Sequence, residues 1–370
     1  MTEANAETST TVMPELLRRL AQELLVAGGA PAAEASVVAE HLVEANLKGH
    51  DSHGVGMVPT YTWSMHCGAC KPGVHARLDS DRGPILVVDG GRGFGQVVGR
   101  EAMELGIARA RELGLAAVAL RDCHHLGRIG AYAEMAVAQG LVSMHYVNVV
   151  GHPPQVAPFG GAEARLNTNP YCCGVPVAGG EPVILDMATS TVALGKVREA
   201  RARGDLLDDS ALIDDQGRPS GDPAVLLAPE SGTPGALTCF GLHKGYGLSL
   251  ICDLLGGTLA GSWPVNRDYD GPPTVYNHML AILLDPTAVG DAEVMAQQTN
   301  SLLDYMRSTR PAADKDAVLI AGDPERESFA RRSAGGVPLA AGTYRSLVEL
   351  AERFGLESET VAEVRAAGQQ

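Results

Sequence analysis

The period of the hydrophobic pattern changes twice along this chain of 370 residues. Between Pro14 and Gly49 apolar residues recur at helical spacing in two stretches, which a Gly-Gly pair separates. From Ile85 onward, short apolar runs such as ILVVD, AAVALRD and MLAILL alternate with helical stretches, which is typical of an α/β core. After Asp291 the pattern is mainly helical again.

These changes predict an α/β core flanked by helical segments that pack together as one discontinuous domain. The run KGYGLSLICDLLGGTLAG is expected to form one long apolar helix inside the core. The expected boundaries are 1–75 for the N-terminal helical segment, 76–290 for the α/β core and 291–370 for the C-terminal helical segment.

The net charge of −15 argues against two classes of binding partner. A surface this acidic repels nucleic acid and anionic membranes, so neither is an expected partner. No apolar run approaches the roughly 20 residues that span a bilayer, and the polar start MTEANAETSTT lacks the features of a signal peptide. A cytoplasmic location is therefore expected. Cys67 and Cys70 form a CxxC without a second pair, which does not predict a zinc site.

A glycine-rich stretch, GRGFGQVVG, lies between a predicted strand and a predicted helix and contains Gly93, Gly95 and Gly99. Glycines at such a turn let backbone amides approach a dinucleotide pyrophosphate, and Asp122 at the end of the next strand could bind a ribose. A tight turn between strand and helix explains the same glycines without a ligand. The residues alone leave both interpretations open.

The stretch GHDSHGVG places two histidines, an aspartate and a serine in one short loop between helices. Carbonyl reduction needs a proton donor, and a histidine whose tautomer is fixed by a neighbouring serine or aspartate suits that role. The histidines could instead bind a metal ion, with His50 and His53 joined by His124 or His125. A solvated loop is the third interpretation.

Further polar motifs follow predicted buried strands or begin helices. DCHHLGRIG lies where α/β folds place ligands, and Arg128 suits a phosphate or carboxylate. In LDMATST, Asp186 could accept hydrogen bonds from a ribose diol, while Thr189 and Ser190 could bind phosphate or cap a helix. In GLHKGYGLSL, Lys244 could bind a pyrophosphate or could simply be solvated.

Taken in order, the motifs DSHG, HHLGRIGAYAE, TNP, LDMATS, HKGYGL and GDPE resemble the malate/L-lactate dehydrogenase-like family of NAD(P)-dependent oxidoreductases. ANLKGHDSHGVGMVPTY and RGFGQVVGREAMELGIA are most similar to its bacterial hydroxycarboxylate dehydrogenase branch, which includes hydroxyphenylpyruvate-type reductases. The resemblance covers nearly the whole chain. It implies a non-Rossmann mixed-sheet core, so Gly93 and Gly95 are expected to form a structural turn. It also implies a homodimer and the interconversion of a 2-oxo acid and a 2-hydroxy acid.

The resemblance also implies roles for individual residues. His53 is expected to donate the proton, Ser52 to support it, and His125 to line the site near the nicotinamide of NAD or NADP. Thr168 and Asn169 are expected to line the substrate pocket. The implied cofactor contacts are Gly127, Arg128, Ile129, Asp186, Met187, Ala188, Thr189, Ser190, Lys244, Asn277, Gly322, Asp323 and Pro324.

One position departs from the family pattern, because Met57 stands where many members have an arginine that binds the substrate carboxylate. Met57 is still expected to line the substrate pocket, and Arg128 or a backbone nest is expected to hold the carboxylate. The alternatives are a reductase of cyclic imino acids, a metal-dependent hydrolase that uses the histidines, and a ligand-binding protein without activity. No metal is expected in the main interpretation. Asp186 favours NAD, whereas Arg198 and Arg201 on the next predicted helix would favour NADP.

Overall fold

The structure is a computed structural model that describes residues 9–267 and 269–368. Its helices are α1 (Pro14–Ala27), α2 (Ala32–Leu47), α3 (Val58–His66), α4 (Gly95–Leu113), α5 (Gly130–Val137), α6 (Leu194–Arg203), α7 (Ala224–Leu227), α8 (His243–Cys252), α9 (Ala292–Arg307), α10 (Asp323–Gly335), α11 (Ala341–Arg353) and α12 (Glu359–Ala367). Its strands are β1 (Thr10–Val12), β2 (Arg77–Arg82), β3 (Ile85–Asp89), β4 (Leu115–His124), β5 (Val142–Val150), β6 (Tyr171–Val175), β7 (Val183–Met187), β8 (Leu212–Ile213), β9 (Pro219–Ser220), β10 (Ala236–Leu237), β11 (Tyr276–Leu284) and β12 (Val337–Leu339).

The central sheet has the strand order β2-β3-β4-β11-β5-β6-β7. β3 and β4 run parallel, whereas the other neighbouring pairs run antiparallel. β11 lies far along the chain, yet it inserts between β4 and β5 and pairs with both along its length. A doubly wound dinucleotide-binding fold has a mostly parallel sheet. The expected non-Rossmann mixed-sheet core is therefore confirmed.

The apolar residues of the central strands alternate between two covered faces, as the period of a strand requires. Val118 and Met279 point to the face covered by α4 and α5. Ala119 and Leu280 point to the opposite face, against Ala260. Burial on both faces explains why these strands read as continuous apolar runs.

The two ends of the chain form one helical unit. β1 pairs antiparallel with β12, with Val12 opposite Val337. Leu20 and Leu24 of α1 share a buried cluster with Leu347 of α11, and residues of α2 and α12 complete it. The expected packing of the N- and C-terminal helical segments is confirmed. On the C-terminal side, the helices that take part begin with α10.

Some elements differ from the sequence-based expectations. α4 begins at Gly95 instead of Arg100, and the long apolar helix changes at Cys252 from α-helix to a π-helical segment, Asp253–Leu259. A Cβ on Gly256 would lie 2.7 Å from the carbonyl oxygen of Tyr146, so this segment packs directly on the backbone of β5. The elements α3, β2, β6 and α12 were not predicted. β2, for example, is an edge strand with the polar sequence RLDSDR, which lacks the apolar alternation of a buried strand.

The helix α9 is set apart from both units, since none of its residues is buried. Its Asn300 side chain donates a hydrogen bond to the carbonyl oxygen of Ala178, 3.2 Å away. Within the described residues, no helix combines the length and the apolar character that crossing a bilayer would require.

Candidate active site

The GHDSHGVG loop folds into two short 3₁₀ turns, Asp51–His53 and Val55–Met57, between α2 and α3. Ser52 Oγ lies 2.9 Å from Nδ1 of His53. The carboxylate of Asp51 instead pairs with Arg332. Of the two neighbours expected to orient His53, the structure therefore selects the serine. Gly54 makes the turn possible, because a Cβ there would lie 2.2 Å from the Asn46 side chain.

The second histidine of the site, His125, follows β4 and is oriented by a chain of neutral groups. Gln96 Nε2 on α4 donates to the hydroxyl of Tyr61 at 2.7 Å, and that hydroxyl lies 2.7 Å from Nδ1 of His125. Because the Tyr61 oxygen accepts from Gln96, its own proton points to Nδ1. This arrangement favours the tautomer of neutral His125 that carries its proton on Nε2.

The rings of His53 and His125 stack with centroids 5.4 Å apart, one from the helical unit and one from the α/β core. Burial, the charge of His50 and the charge of Arg128 lower the pKa of His53 to about 4. Burial and the neighbouring His53 hold the pKa of His125 well below the usual histidine range. The lowered pKa values favour the neutral form of both rings, and a neutral His53 can accept a proton.

Arg128 is not available to bind a substrate carboxylate in this structure. Its side chain is 3% exposed and donates to Glu134 at 2.6 Å, with Glu44 at 3.9 Å. Lys48 also contacts both carboxylates, so the network joins α2 to α5. Although burial acts to lower the pKa of Arg128, the combined effect of Glu134, Asp186 and Glu44 outweighs it and the pKa is raised. The expectation that Arg128 holds the carboxylate is therefore corrected: its charge is already neutralised inside the protein.

The motifs expected to contact the cofactor meet around the end of β7. Asp186 Oδ2 accepts from the backbone amide of Gly130 at 2.6 Å. The amide of Ile184 donates to the carbonyl of Ala321, next to the Gly322–Pro324 segment. The amide of Phe240 donates to the carbonyl of Thr189, which brings the α8 turn with Lys244 alongside. These contacts gather four segments that are far apart in the sequence.

The segment after β7 also lies beside the GHDSHGVG loop. A Cβ on Gly195, at the start of α6, would lie 3.6 Å from Cβ of Ser52. Burial raises the pKa of Asp186, and the nearby Arg128 opposes that shift. Lys244 is exposed in the first turn of α8, so its charge is accessible.

The sequence model of one family, described as malate/L-lactate dehydrogenase, matches residues 12–348 of this chain.

The chain belongs to the malate/L-lactate dehydrogenase family.

Relatives within this family resemble the chain over nearly its full length. It is 39% identical over 335 residues to a protein named hydroxycarboxylate dehydrogenase B from Escherichia coli O157:H7, covering 90% of this chain and 91% of that one. A solved structure described as a putative malate/lactate dehydrogenase from E. coli superposes with a TM-score of 0.90 at 37% identity, covering 96% of this chain and 98% of that one. The structure of a delta1-piperideine-2-carboxylate reductase from Pseudomonas syringae pvar. tomato superposes with a TM-score of 0.80 at 30% identity, covering 92% and 99%. Membership confirms that the chain is a dehydrogenase.

In this dehydrogenase, backbone carbonyl groups of the protein itself occupy the space beside the glycines of the GRGFGQVVG stretch. A Cβ on Gly95 would lie 2.2 Å from the carbonyl oxygen of His125, and a Cβ on Gly93 would lie 2.3 Å from that of Val74. Asp122, the expected ribose ligand of a Rossmann site, accepts from the Trp263 indole at 3.1 Å. The glycines thus let α4 approach the turn that carries His125, which agrees with the structural turn expected for this family.

Several residues expected to touch cofactor or substrate form hydrogen bonds with the backbone of the dehydrogenase. The buried Asn169 bonds the amide of Val149 and the carbonyl of Ser249. Asn277 is also buried, and its amide bonds the backbone on both sides. The hydroxyls of Thr189 and Ser190 donate to backbone carbonyls, and neither caps a helix. These four side chains hold loops of the protein together through their polar groups.

The remaining expected residues lie at the edges of the site. Met57 is partly buried and packs on the helical core. Ile129 is buried in the α/β core. Gly127 and Gly322 adopt positive φ angles of 73° and 99°, which favour glycine. The carboxylate of Asp323 accepts from the amide of Ile320 and from Arg326. The carbonyl oxygen of Thr168 accepts a hydrogen bond from the hydroxyl of Thr189. Met187, Ala188 and Pro324 lie in the segments that meet around the end of β7.

The metal-ligand alternative lacks a converging set of side chains. Across residues 9–267 and 269–368, no three His, Cys, Asp or Glu side chains come together as a metal site. His50 pairs instead with Glu325 at 3.1 Å, and this hydrogen bond lowers the pKa of Glu325. The geometry of the histidines therefore gives no support to the hydrolase interpretation.

Reasoning from sequence missed the residues that orient the two histidines. Asn46, Tyr61, Gln96 and Arg332 lie on helices, and no local motif distinguishes them from ordinary helical residues. What distinguishes three of them is burial in the structure, where Tyr61, Asn46 and Gln96 are almost completely covered. A buried polar side chain needs a partner, but the sequence does not show which one.

Proposed function

We propose that this dehydrogenase interconverts a 2-oxo acid and a 2-hydroxy acid, with His53 exchanging the proton and NAD or NADP the hydride. The observation that carries the proposal is the pair of stacked histidines, His53 and His125, beside the gathered motifs around β7. The names of the relatives, hydroxycarboxylate dehydrogenase among them, support this substrate class.

The proton passes through Nε2 of His53 in this proposal. Nδ1 faces Ser52, whose hydroxyl oxygen can accept from the Nδ1 proton both in the neutral ring with an unprotonated Nε2 and in the charged ring. Ser52 therefore keeps the ring oriented in both protonation states. In the oxidative direction the neutral His53 takes the hydroxyl proton, and in the reductive direction the charged ring returns it.

His125 supplies a neutral hydrogen-bond donor. Its Nε2 proton, set by Tyr61 and Gln96, is proposed to bind an oxygen of the substrate. Because Met57 is apolar and Arg128 is paired with Glu134, the substrate oxygens rely on neutral donors here. Such a donor binds a carbonyl or carboxylate oxygen without the charge of an arginine.

The donor set around β7 fits a nicotinamide dinucleotide. The accessible Lys244, in the first turn of α8, is suited to a diphosphate, and Asp186 Oδ1 is suited to a ribose hydroxyl. The backbones of Gly127–Ile129 and Gly322–Pro324 would complete the site. When bound, the nicotinamide supplies or accepts the hydride. We propose NAD as the preferred cofactor, because a carboxylate near the ribose repels a 2′-phosphate.

A reductase of cyclic imino acids is the second candidate. The structural likeness to delta1-piperideine-2-carboxylate reductase, with a TM-score of 0.80, favours it. A protonated cyclic imine already carries the positive charge that a ketone must gain from a proton donor. The two candidates therefore differ in how strongly they need His53.

The test is a substrate screen followed by nicotinamide absorbance. 2-Oxo acids and cyclic imino acids are each assayed with NADH and with NADPH. We expect turnover of a 2-oxo acid and a preference for NADH. Turnover restricted to cyclic imino acids would select the second candidate, and a tenfold preference for NADPH, about 1.4 kcal/mol in the transition state, would overturn the NAD assignment. A homodimer in the cytoplasm completes the proposal, and light scattering of the purified protein tests the dimer.

A further inference from the structure

We propose that Arg332, on α10 of the C-terminal helical segment, is a positioning residue that holds the His53 loop in its catalytic geometry. Its two terminal nitrogens contact both oxygens of Asp51, at 2.7 and 3.0 Å. Such a bidentate pair fixes both the distance and the plane of the carboxylate. Asp51 directly precedes Ser52, so this contact anchors the start of the catalytic turn.

Asn46 extends the contact to the other end of the loop. Its side-chain nitrogen donates to Asp51 Oδ1 at 2.6 Å, and its side-chain oxygen accepts from the amide of Val55 at 2.8 Å. Its backbone carbonyl accepts from Arg332 at 2.5 Å. We call Arg332, Asp51 and Asn46 the loop clamp. It binds the chain on both sides of Ser52 and His53 while touching neither side chain.

The geometry favours a positioning role over simple stabilisation. The Asp51 side chain is 42% exposed and that of Arg332 is 13% exposed, so water can solvate the Asp51 carboxylate when the arginine is removed, which limits the loss of folding stability. The clamp, however, fixes the residue before Ser52, and a displacement of about 1 Å at a catalytic group can cost about 100-fold in rate. We therefore expect its loss to lower kcat far more than it lowers the melting temperature.

The clamp also makes the site depend on the far end of the chain. Arg332 lies 281 residues from Asp51, and it reaches the loop because α10 packs on α2. Nearby, Glu325 at the start of α10 contacts His50. The C-terminal helical segment thus takes part in ordering the catalytic loop as well as closing the helical core.

The inference rests on the proposed role of His53, so its test compares both residues. We compare Arg332→Ala and Arg332→Lys with His53→Ala and with Arg331→Ala, an exposed neighbour on the same helix. Reduction of the 2-oxo acid found in the screen gives kcat, and fluorescence titration gives the affinity for NADH. Guanidinium chloride at millimolar concentration, far below denaturing levels, is added to each variant.

We expect Arg332→Ala to lower kcat about 10- to 100-fold, as for a catalytic group displaced by about 1 Å. NADH affinity should stay within a factor of about two, and guanidinium should restore at least part of the lost kcat. Arg332→Lys should retain an intermediate kcat, because an ammonium cannot form the bidentate contact. Arg331→Ala should behave as wild type, and guanidinium should not rescue His53→Ala.

Wild-type kcat in Arg332→Ala, with His53→Ala inactive, would overturn the clamp alone. Wild-type kcat in both variants would overturn the role of His53 itself. A loss of kcat that follows the loss of folded protein and is not rescued would assign Arg332 a structural role and also overturn the clamp. If Arg332→Ala does not fold, Asp51→Asn decides, because it keeps the shape of the side chain: unchanged kcat would exclude the clamp, and a fall of about tenfold or more would support it.

Discussion

The two histidines of the site come from different units of the molecule and are oriented by different interactions. His53 lies on a loop of the helical unit, where an ion pair between Arg332 and Asp51 anchors the backbone. His125 follows a strand of the α/β core, where uncharged Tyr61 directly contacts its ring. The first arrangement fixes a loop and leaves the ring free to change its protonation state. The second fixes a tautomer and so maintains a neutral donor.

This difference predicts separate roles, proton exchange for His53 and hydrogen bonding for His125. The largest effect on kcat is expected when the His53 side chain is removed. His53→Ala should lower kcat by roughly 10²–10⁴-fold, the usual contribution of general acid–base catalysis. NADH affinity, measured by fluorescence titration, should be nearly unchanged. His125→Ala should lower kcat less, because it removes a hydrogen bond and leaves the proton donor in place.

The matched control is His66→Ala, which changes an exposed histidine on α3 and should leave kcat unchanged. Equal losses in His53→Ala and His125→Ala would contradict the separation of roles. Full activity in His53→Ala would assign the proton to another group.

The pH dependence of the two reaction directions sharpens the comparison. His53 has a pKa of about 4 in the free protein, where burial favours the neutral ring. Reduction needs the charged ring, so kcat/KM for the 2-oxo acid should fall as the pH rises from 5 to 8, by about tenfold per unit above the pKa. Oxidation needs the neutral ring, so kcat/KM for the 2-hydroxy acid should not fall over the same range.

Steady-state assays of both directions in one buffer series measure these slopes. In His53→Ala the slope for reduction should disappear, which assigns it to that ring. A reduction rate that increases with pH in the wild type would place the essential proton elsewhere.

The smallest effect on kcat is expected when the uncharged group that orients His125 is changed. Tyr61→Phe removes the hydroxyl that sets the His125 tautomer and leaves buried groups unpaired, at a cost of about 1–3 kcal/mol in stability. The kcat should fall about tenfold, the equivalent of one lost hydrogen bond in the transition state. Thermal unfolding and steady-state kinetics measure the two effects.

Tyr344→Phe is the control, because Tyr344 also donates one partly buried hydrogen bond in the helical unit, to the carbonyl of Val364. It should lose stability while keeping kcat. If Tyr61→Phe kept full kcat as well, the tautomer of His125 would have no role in turnover.

Much of the fold was predictable because its cause is local. The helical period of 14–27 and the apolar run of 85–89 each report the burial of one element, and both elements form as expected. The insertion of β11 between β4 and β5 was not predictable, since pairing partners depend on the folded arrangement of the strands.

The site divides in the same way. The GHDSHGVG and HHLGRIG motifs supply His53 and His125, because chemically active residues are concentrated in short loops. Arg128 shows the limit of such reasoning: its residue type suits a carboxylate ligand, yet Glu134 already neutralises it. A residue's type is a property of the sequence, whereas its availability depends on which groups fold against it.

By itself, the sequence determined the α/β core with its helical ends, the family, and the two loops that carry the histidines. Only the tertiary structure decided which side chains orient them. Tyr61 and His125 are 64 residues apart, and Arg332 and Asp51 are 281 apart. Hydrophobic periodicity reports the burial of each segment against the rest of the protein. A hydrogen bond requires two specific atoms within about 3 Å, and only the packing of α3, α4 and α10 around the loop brings those atoms together.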